Sequence, residues 1–588
     1  MRKHAVACGG LDLRIYMDTT KPPNDDPLLS SIVQEVIAEA HIDPSLILPE
    51  EIEYIRQHVL KKPLRVVHIW SLGVGVVIAG MYFGWNFGLP VAGPIGMLIA
   101  SLIVCGLYLT WVLALSELSV AMPFAGGPMA YGRRALGKGF GFLMGWSMFL
   151  EMLFAAIGTA LATGGYVAFL LNPEHPGPLT TTLWAILCAV VFLIVQYIGV
   201  KEQAAIMLWL TWAAIGALVC FFLAVIPGVS LERVFTNPLL PFAWSGVLGA
   251  VPYALWWLVS IETVALASEE AHEPHISIPR GLVLSQITLV ALVILTWFFA
   301  SAAAPYKETG AVVYPLPLVF GKVWGTGWQL KVFSAAAMSG LIVSYSGMLY
   351  ATSRQCFSLG RAGYLPSALG SVHSDRRTPQ VSLIVCTLIA ILFIILGHFY
   401  EKATAVAILI STLAAVIWYM LAMICLLVLR RKEPALRRPY VTPVFPWMPI
   451  FVALLAAFAG YLYAWTNVQV IAPTVVLYAV AGVWYAVRGR SSVLASAPEE
   501  VAARIAEKFS QRAQPGAAAA IAPTRMTMIE RVTAVVLLAG LLSLIWMVLR
   551  ATNVIPGPPA PREVLLVTIV WAVLFTLVSV VGLYSTRR

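Results

Sequence analysis

Charge is scarce in this chain. Asp, Glu, Lys and Arg make up 11% of its 588 residues against 60% hydrophobic residues, and the mean hydropathy is +0.85. So little polar surface cannot coat a water-soluble fold of this size, which excludes a soluble globular protein. Cysteine is sparse and unpatterned. Cys8, Cys105, Cys188, Cys220, Cys356, Cys386 and Cys425 fall mostly inside apolar runs with no ligand-like pairing, so neither a disulfide framework nor a metal site is expected and they read as small apolar fillers. There is no His-Glu metal pair, no nucleophile elbow and no phosphate-binding loop, so no enzyme chemistry, metal or cofactor is expected. His272, His275 and His373 lie in charged loop sequence and read as solvated. Met1 to Lys62 lacks the basic, apolar and small-residue order of a cleaved signal, which leaves the first apolar run to direct insertion.

What is present is a succession of apolar runs of about twenty residues, each able to cross roughly 30 Å of hydrocarbon. Backbone groups in lipid must be satisfied within the segment, so the expected fold class is all-α and polytopic. Twelve spans are predicted at 66-89, 94-121, 140-171, 180-199, 203-227, 243-268, 281-304, 330-357, 380-398, 403-429, 446-465 and 468-487. Two more are predicted near 530-549 and 563-584. The chain therefore divides into an N-terminal extension (1-64), a twelve-span core (65-490), a linker rich in Ala, Ser and charge (491-528) and two additional C-terminal spans (529-588). Pro49 to Leu60 can form a short helix with Ile52, Ile55 and Val59 on one face.

The formal charge of +10 points to membrane topology rather than to nucleic acid. With a cytoplasmic N-terminus, 31 of the 38 Lys and Arg residues fall on the cytoplasmic side, so both termini are expected inside, in the inner (plasma) membrane. The densest inside loops carry Arg133, Arg134 and Lys138; Arg354, Arg361, Arg376 and Arg377; and Arg430, Arg431, Lys432, Arg437 and Arg438.

Two spans carry signals that break a helix. The first contains Gly73, Gly75, Gly80, Gly84 and Gly88, a density that weakens regular winding or, alternatively, serves close helix packing. A break is predicted near Ile78 to Tyr82, where Ile78, Ala79, Gly80, Met81 and Tyr82 would offer backbone groups to a solute. The sixth repeats the theme, with Gly246, Gly249 and Pro252 before Tyr253-Ala-Leu-Trp-Trp-Leu-Val-Ser-Ile-Glu262. Two interrupted helices in corresponding halves suggest an inverted repeat with a solute site between them at the midplane.

Glu151 in the third span and Glu262 in the sixth each cost roughly 2.5 to 3.5 kcal/mol at a helix centre, so an interior partner or a function is expected for both. Each can counter a substrate ammonium or carry a coupling proton, or it can serve as a hydrogen-bonding structural group. Trp256 and Trp257 can form an aromatic wall against a cation, with Ser260 beside them. Ser344 and Ser346 in the eighth span can offer hydroxyls to a sodium ion, although a serine in such a helix often bonds its own backbone. The expected ion-coupling set is therefore Glu151, Glu262, Ser344 and Ser346.

From Arg65 to about Arg490 the chain resembles the amino acid-polyamine-organocation permeases, and most nearly their ethanolamine permease branch. The most specific match is Ser116-Glu-Leu-Ser-Val-Ala-Met-Pro-Phe-Ala-Gly-Gly-Pro-Met-Ala-Tyr-Gly-Arg-Arg-Ala-Leu-Gly137. Supporting matches are Ala267 to Gly281, Leu359-Gly-Arg-Ala-Gly-Tyr-Leu-Pro366, and Arg430-Arg-Lys-Glu-Pro434 with Arg438-Pro-Tyr440, while Gly80-Met-Tyr-Phe-Gly-Trp-Asn86 carries the ethanolamine-permease flavour. The resemblance implies a five-plus-five inverted repeat with a central site between spans 1, 3, 6 and 8. It also implies an aromatic gate at Trp256, an acidic position at Glu262 and structural pairing of Glu117, Glu269 and Glu270 with loop arginines. One departure is Ala214, which stands in the fifth span where some proton-coupled relatives place a lysine. The function implied is secondary active uptake of ethanolamine or an amino acid by alternating access, with a proton as the expected co-ion. Amino acid exchange and a transporter-like sensor are the alternatives. The partners are then a small amine, a proton or sodium ion and lipid, with no nucleic acid.

Overall fold

Apolar runs with no water to bond their amides fold here as helices throughout. The computed structural model describes residues 64 to 493, except 123-125, 199-200, 269-270, 374-377, 435 and 437. The short helix expected at 49-60, the linker beyond Val493 and the two additional C-terminal spans lie outside the described residues. So do Glu269 and Glu270.

The second to fifth spans are Leu89–Ala121, Lys138–Leu171, Pro178–Ile198 and Lys201–Val225. The seventh to twelfth are Pro274–Ala303, Trp328–Arg361, Gln380–Gly397, Ala403–Lys432, Trp447–Thr466 and Val468–Trp484. Nine helices among the described residues are long and apolar enough to cross a bilayer, and the first and eleventh spans are shorter apolar helices. With the broken sixth span these make the twelve-span all-α core expected from the sequence. Beyond one bridge between Leu64 and Ala271, no strand pairing occurs among the described residues. The seventh span starts seven residues before the expected 281, because Pro274 occupies its first turn, where no amide hydrogen is needed. The second span bends at Gly93, whose φ of +73° precedes Pro94; glycine accepts that conformation and proline cannot complete the ladder.

Burial sorts the spans into a centre and a periphery. The most apolar stretch of the third span is 94% buried, whereas those of the fourth and twelfth are 17% buried. Outward-facing Leu183, Leu187, Val475 and Val480 give the outer helices an apolar surface suited to lipid. A polar site can persist only at the centre, against the third span.

At the basic end of the molecule Glu117, 1% exposed, is held by Arg430 at 2.7 Å and Arg438 at 3.4 Å. Its Oε2 also accepts the Thr442 amide at 2.7 Å. Arg134 binds Glu433 at 2.6 Å, and the Arg430 guanidinium lies 4.2 Å from the Phe445 ring centre. The expected structural pairing of Glu117 with loop arginines is present. It ties the end of the second span to the tenth and to the loop that follows.

Candidate functional site

The first span is helical over Val66–Val77, turns at Ile78 and makes one more turn over Ala79–Tyr82. Phe83 is then extended and Gly84 takes a φ of +94° before a tight turn over Trp85–Gly88. The full break therefore falls at Phe83 and Gly84, one turn beyond the expected Ile78 to Tyr82. Gly84 is where winding reverses because only glycine adopts that φ cheaply, and a Cβ there would strike the Trp256 ring. At Ile78 the dihedrals stay helical, and the loosened rung is filled from the eighth span. The Ser344 hydroxyl accepts the Ala79 amide at 2.9 Å and donates to the Gly75 carbonyl at 2.7 Å.

The sixth span is helical over Ala243–Ala254, tightens over Leu255–Trp257, and resumes only at Thr263–Leu266. Between them Ser260 has a φ of +77°, a strained conformation for a residue with a Cβ and one that clusters at functional sites. Gly80 of the first span is in close contact with this region: a Cβ on it would lie 2.7 Å from the carbonyl oxygens of both Trp256 and Trp257. The two interrupted segments therefore face each other at van der Waals distance.

Expected site residues converge here, and all are buried. Ile78, Ala79, Met81, Tyr82, Trp257, Ser260, Glu151 and Glu262 are 0% exposed and Trp256 is 1% exposed, so the site is closed on both sides. Trp257 stacks on Trp85 at 4.5 Å between ring centres and donates to Ser101 at 2.9 Å. Trp256 meets Phe83 edge-on at 5.3 Å. Tyr82 donates to the Ala214 carbonyl at 2.6 Å and its own carbonyl accepts Tyr166 at 2.7 Å, which sets Ala214 directly against the first span. The Ser346 carbonyl accepts Gln196 at 2.7 Å. Two residues beyond Ser344, its hydroxyl is turned about 200° around the helix, so the two serines do not converge on one ion.

Buried polar atoms without a hydrogen-bond partner occur on several spans, and three of them lie together on the broken sixth span. These three are Trp256 Nε1, Ser260 Oγ and Glu262 Oε2. Each such buried group costs on the order of 1 to 3 kcal/mol, which marks this face as built for something more than packing.

Both acids draw hydrogen-bond donors from the tenth span, which no local sequence pattern singles out. Trp418 of the tenth span donates to Glu151 Oε2 at 2.6 Å, and Tyr419 donates to Glu262 Oε1 at 2.7 Å. The Ser260 amide also donates to Glu262 Oε1, at 3.1 Å. Tyr108 of the second span lies 3.3 Å from the Tyr419 hydroxyl. The one trace in sequence is the adjacent Trp418-Tyr419 pair inside an apolar run, since buried carboxylates need N-H and O-H donors and these side chains supply them without adding charge.

A twelve-span helical membrane protein with two interrupted spans facing each other across a sealed acidic site has the architecture of a membrane transporter. Comparison with known proteins agrees: the chain matches the amino acid permease family over residues 66–487 and belongs to it. It is 29% identical to an uncharacterised transporter of Rhizobium meliloti, with 72% of this chain and 92% of that protein covered. It is 25% identical to a branched-chain amino acid permease of Bacillus subtilis, with 70% and 90% covered. The mouse Asc-type amino acid transporter 1 is 27% identical, with 65% and 72% covered. The protein is a multi-pass membrane permease and not an enzyme.

Proposed function

We propose that the protein takes up a small amine-bearing solute, an amino acid or ethanolamine, by alternating access, and that a proton is its co-ion. One observation carries the reading: on the broken face of the sixth span an indole N-H, a hydroxyl and a carboxylate oxygen are buried without partners, opposite Gly80. A ligand ammonium answers the Glu262 oxygen and the Ser260 hydroxyl, and the face of Trp256 suits a cation. The ethanolamine reading rests on Gly80 to Asn86 and the amino acid reading on the relatives, among which branched-chain amino acid permeases recur. Inhibition of uptake by ethanolamine or by branched-chain amino acids separates them.

A proton is favoured over sodium because the Ser344 hydroxyl already gives its hydrogen to Gly75 and accepts from Ala79, whereas two acids lie at the site centre and, among the described residues, no basic side chain is bonded to either. The distribution of Lys and Arg supports a cytoplasmic N-terminus, so substrate enters from the side of Trp85 and leaves beside Arg430. In proteoliposomes with an inward proton gradient, labelled amine should accumulate against its own gradient. Uptake indifferent to the gradient, with intact counterflow in vesicles loaded with unlabelled solute, would establish an exchanger instead.

A further inference from the structure

Glu151 and Glu262 come from different spans, yet their carboxyls converge on one side chain of the tenth span. Both approach one hydroxyl, Tyr419 Oη, which is 2.7 Å from Glu262 Oε1 and 3.5 Å from Glu151 Oε1. A hydroxyl has one hydrogen and a carboxylate only accepts, so Tyr419 can bond both acids at once only if one of them holds a proton and donates it to the hydroxyl oxygen. The surroundings leave no substitute for it. The titratable groups facing the pair are Tyr108 on the second span, Tyr419 on the tenth and Tyr478 on the twelfth; among the described residues no lysine, arginine or histidine is bonded to either acid. Two adjacent carboxylates without a cation repel strongly at low dielectric, and one bound proton relieves this.

We propose that Glu151 and Glu262 form a single coupling site that shares one proton, with Trp418 and Tyr419 of the tenth span as its positioning residues. This rests on the proton-coupled reading above and deepens it. Trp418 takes Glu151 Oε2, and Tyr419, supported by Tyr108, takes Glu262 Oε1, so the tenth span sets the spacing of the two acids. The pair with one proton keeps one negative charge, enough for one substrate ammonium. Glu262 sits on the interrupted sixth span and Glu151 on the unbroken third. Movement of the sixth span away from the third and tenth therefore separates the carboxyls, and the shared proton passes to water on whichever side has opened. One proton is taken up and one released per cycle, with no other bond made or broken.

The test uses the full-length protein in proteoliposomes and its infrared spectrum. Glu151→Gln and Glu262→Gln should each reduce accumulation driven by a proton gradient at least tenfold. Tyr419→Phe should move the pH of half-maximal uptake by about one unit while the KM for labelled amine at saturating proton stays within about threefold, because it removes a hydrogen bond to one charge state only. Glu151→Asp should restore part of the coupling, which guards against misreading a misfolded variant. At neutral pH the wild type should show the carbonyl stretch of a protonated carboxylic acid, lost in the Glu151→Gln, Glu262→Gln double variant. Wild-type accumulation in Glu151→Gln, or an unmoved pH profile in Tyr419→Phe, would overturn the shared site, and so would the absence of the protonated-acid band. A band present in a wild type that ignores the proton gradient would instead overturn the coupling reading beneath it.

Discussion

Glycine 80 shows how much one missing side chain governs here. With 2.7 Å between its would-be Cβ and two carbonyl oxygens of the sixth span, neither neighbour is a flexible tip that can turn aside. Overpacking of this kind costs typically 1 to 3 kcal/mol. Gly80→Ala should leave the protein in the membrane but lower substrate affinity at least tenfold, read by labelled-amine binding; unchanged binding would show that the two broken segments need not touch. Other residues were harder to assign. Glu151 and Glu262 stand out in sequence because charge is costly in lipid, whereas the donors that satisfy them, Trp418 and Tyr419, look like any aromatic pair in an apolar helix. Their role depends on which face of the tenth span meets the third, and no local pattern records that.

At the scale of elements, the twelve core spans were legible because hydrophobic length is set by the bilayer, and most ends fell within a few residues of prediction. The break in the first span was displaced by a turn. Glycine density identified a weak helix, but the location of the reversal was decided by Gly84 against the Trp256 ring, and the earlier loosened rung at Ile78 was repaired by Ser344 from 265 residues away. The amides expected to lie open near Ala79 are therefore largely occupied, and three polar side-chain atoms of the sixth span are left unmet. Ser344 is a splice in the first helix. Ser344→Ala leaves the Gly75 carbonyl and the Ala79 amide without that partner and should destabilise the protein by about 1 to 3 kcal/mol, seen as a lower unfolding temperature. Replacement of sodium by choline should leave uptake unchanged. A strict sodium requirement abolished in Ser344→Ala would reverse that assignment.

At the scale of the whole molecule, the described spans sort into an enclosed centre and an outward-facing periphery. The third span carries Glu151 in the most enclosed position, the fourth and twelfth face outward, and the basic end is fastened through Glu117, Arg430 and Arg438. Under the proposed alternating access, the broken first and sixth spans would rearrange while the surrounding helices keep the lipid boundary intact. In the proposed function, Glu262 on the interrupted sixth span meets the ammonium of the solute. Equilibrium binding of a labelled amine to purified wild type, Glu262→Gln and Trp257→Phe tests it most directly. Glu262→Gln should weaken binding at least tenfold more than Trp257→Phe, which keeps the stack on Trp85 and loses only the bond to Ser101. Equal losses in the two variants would contradict a direct charge pairing.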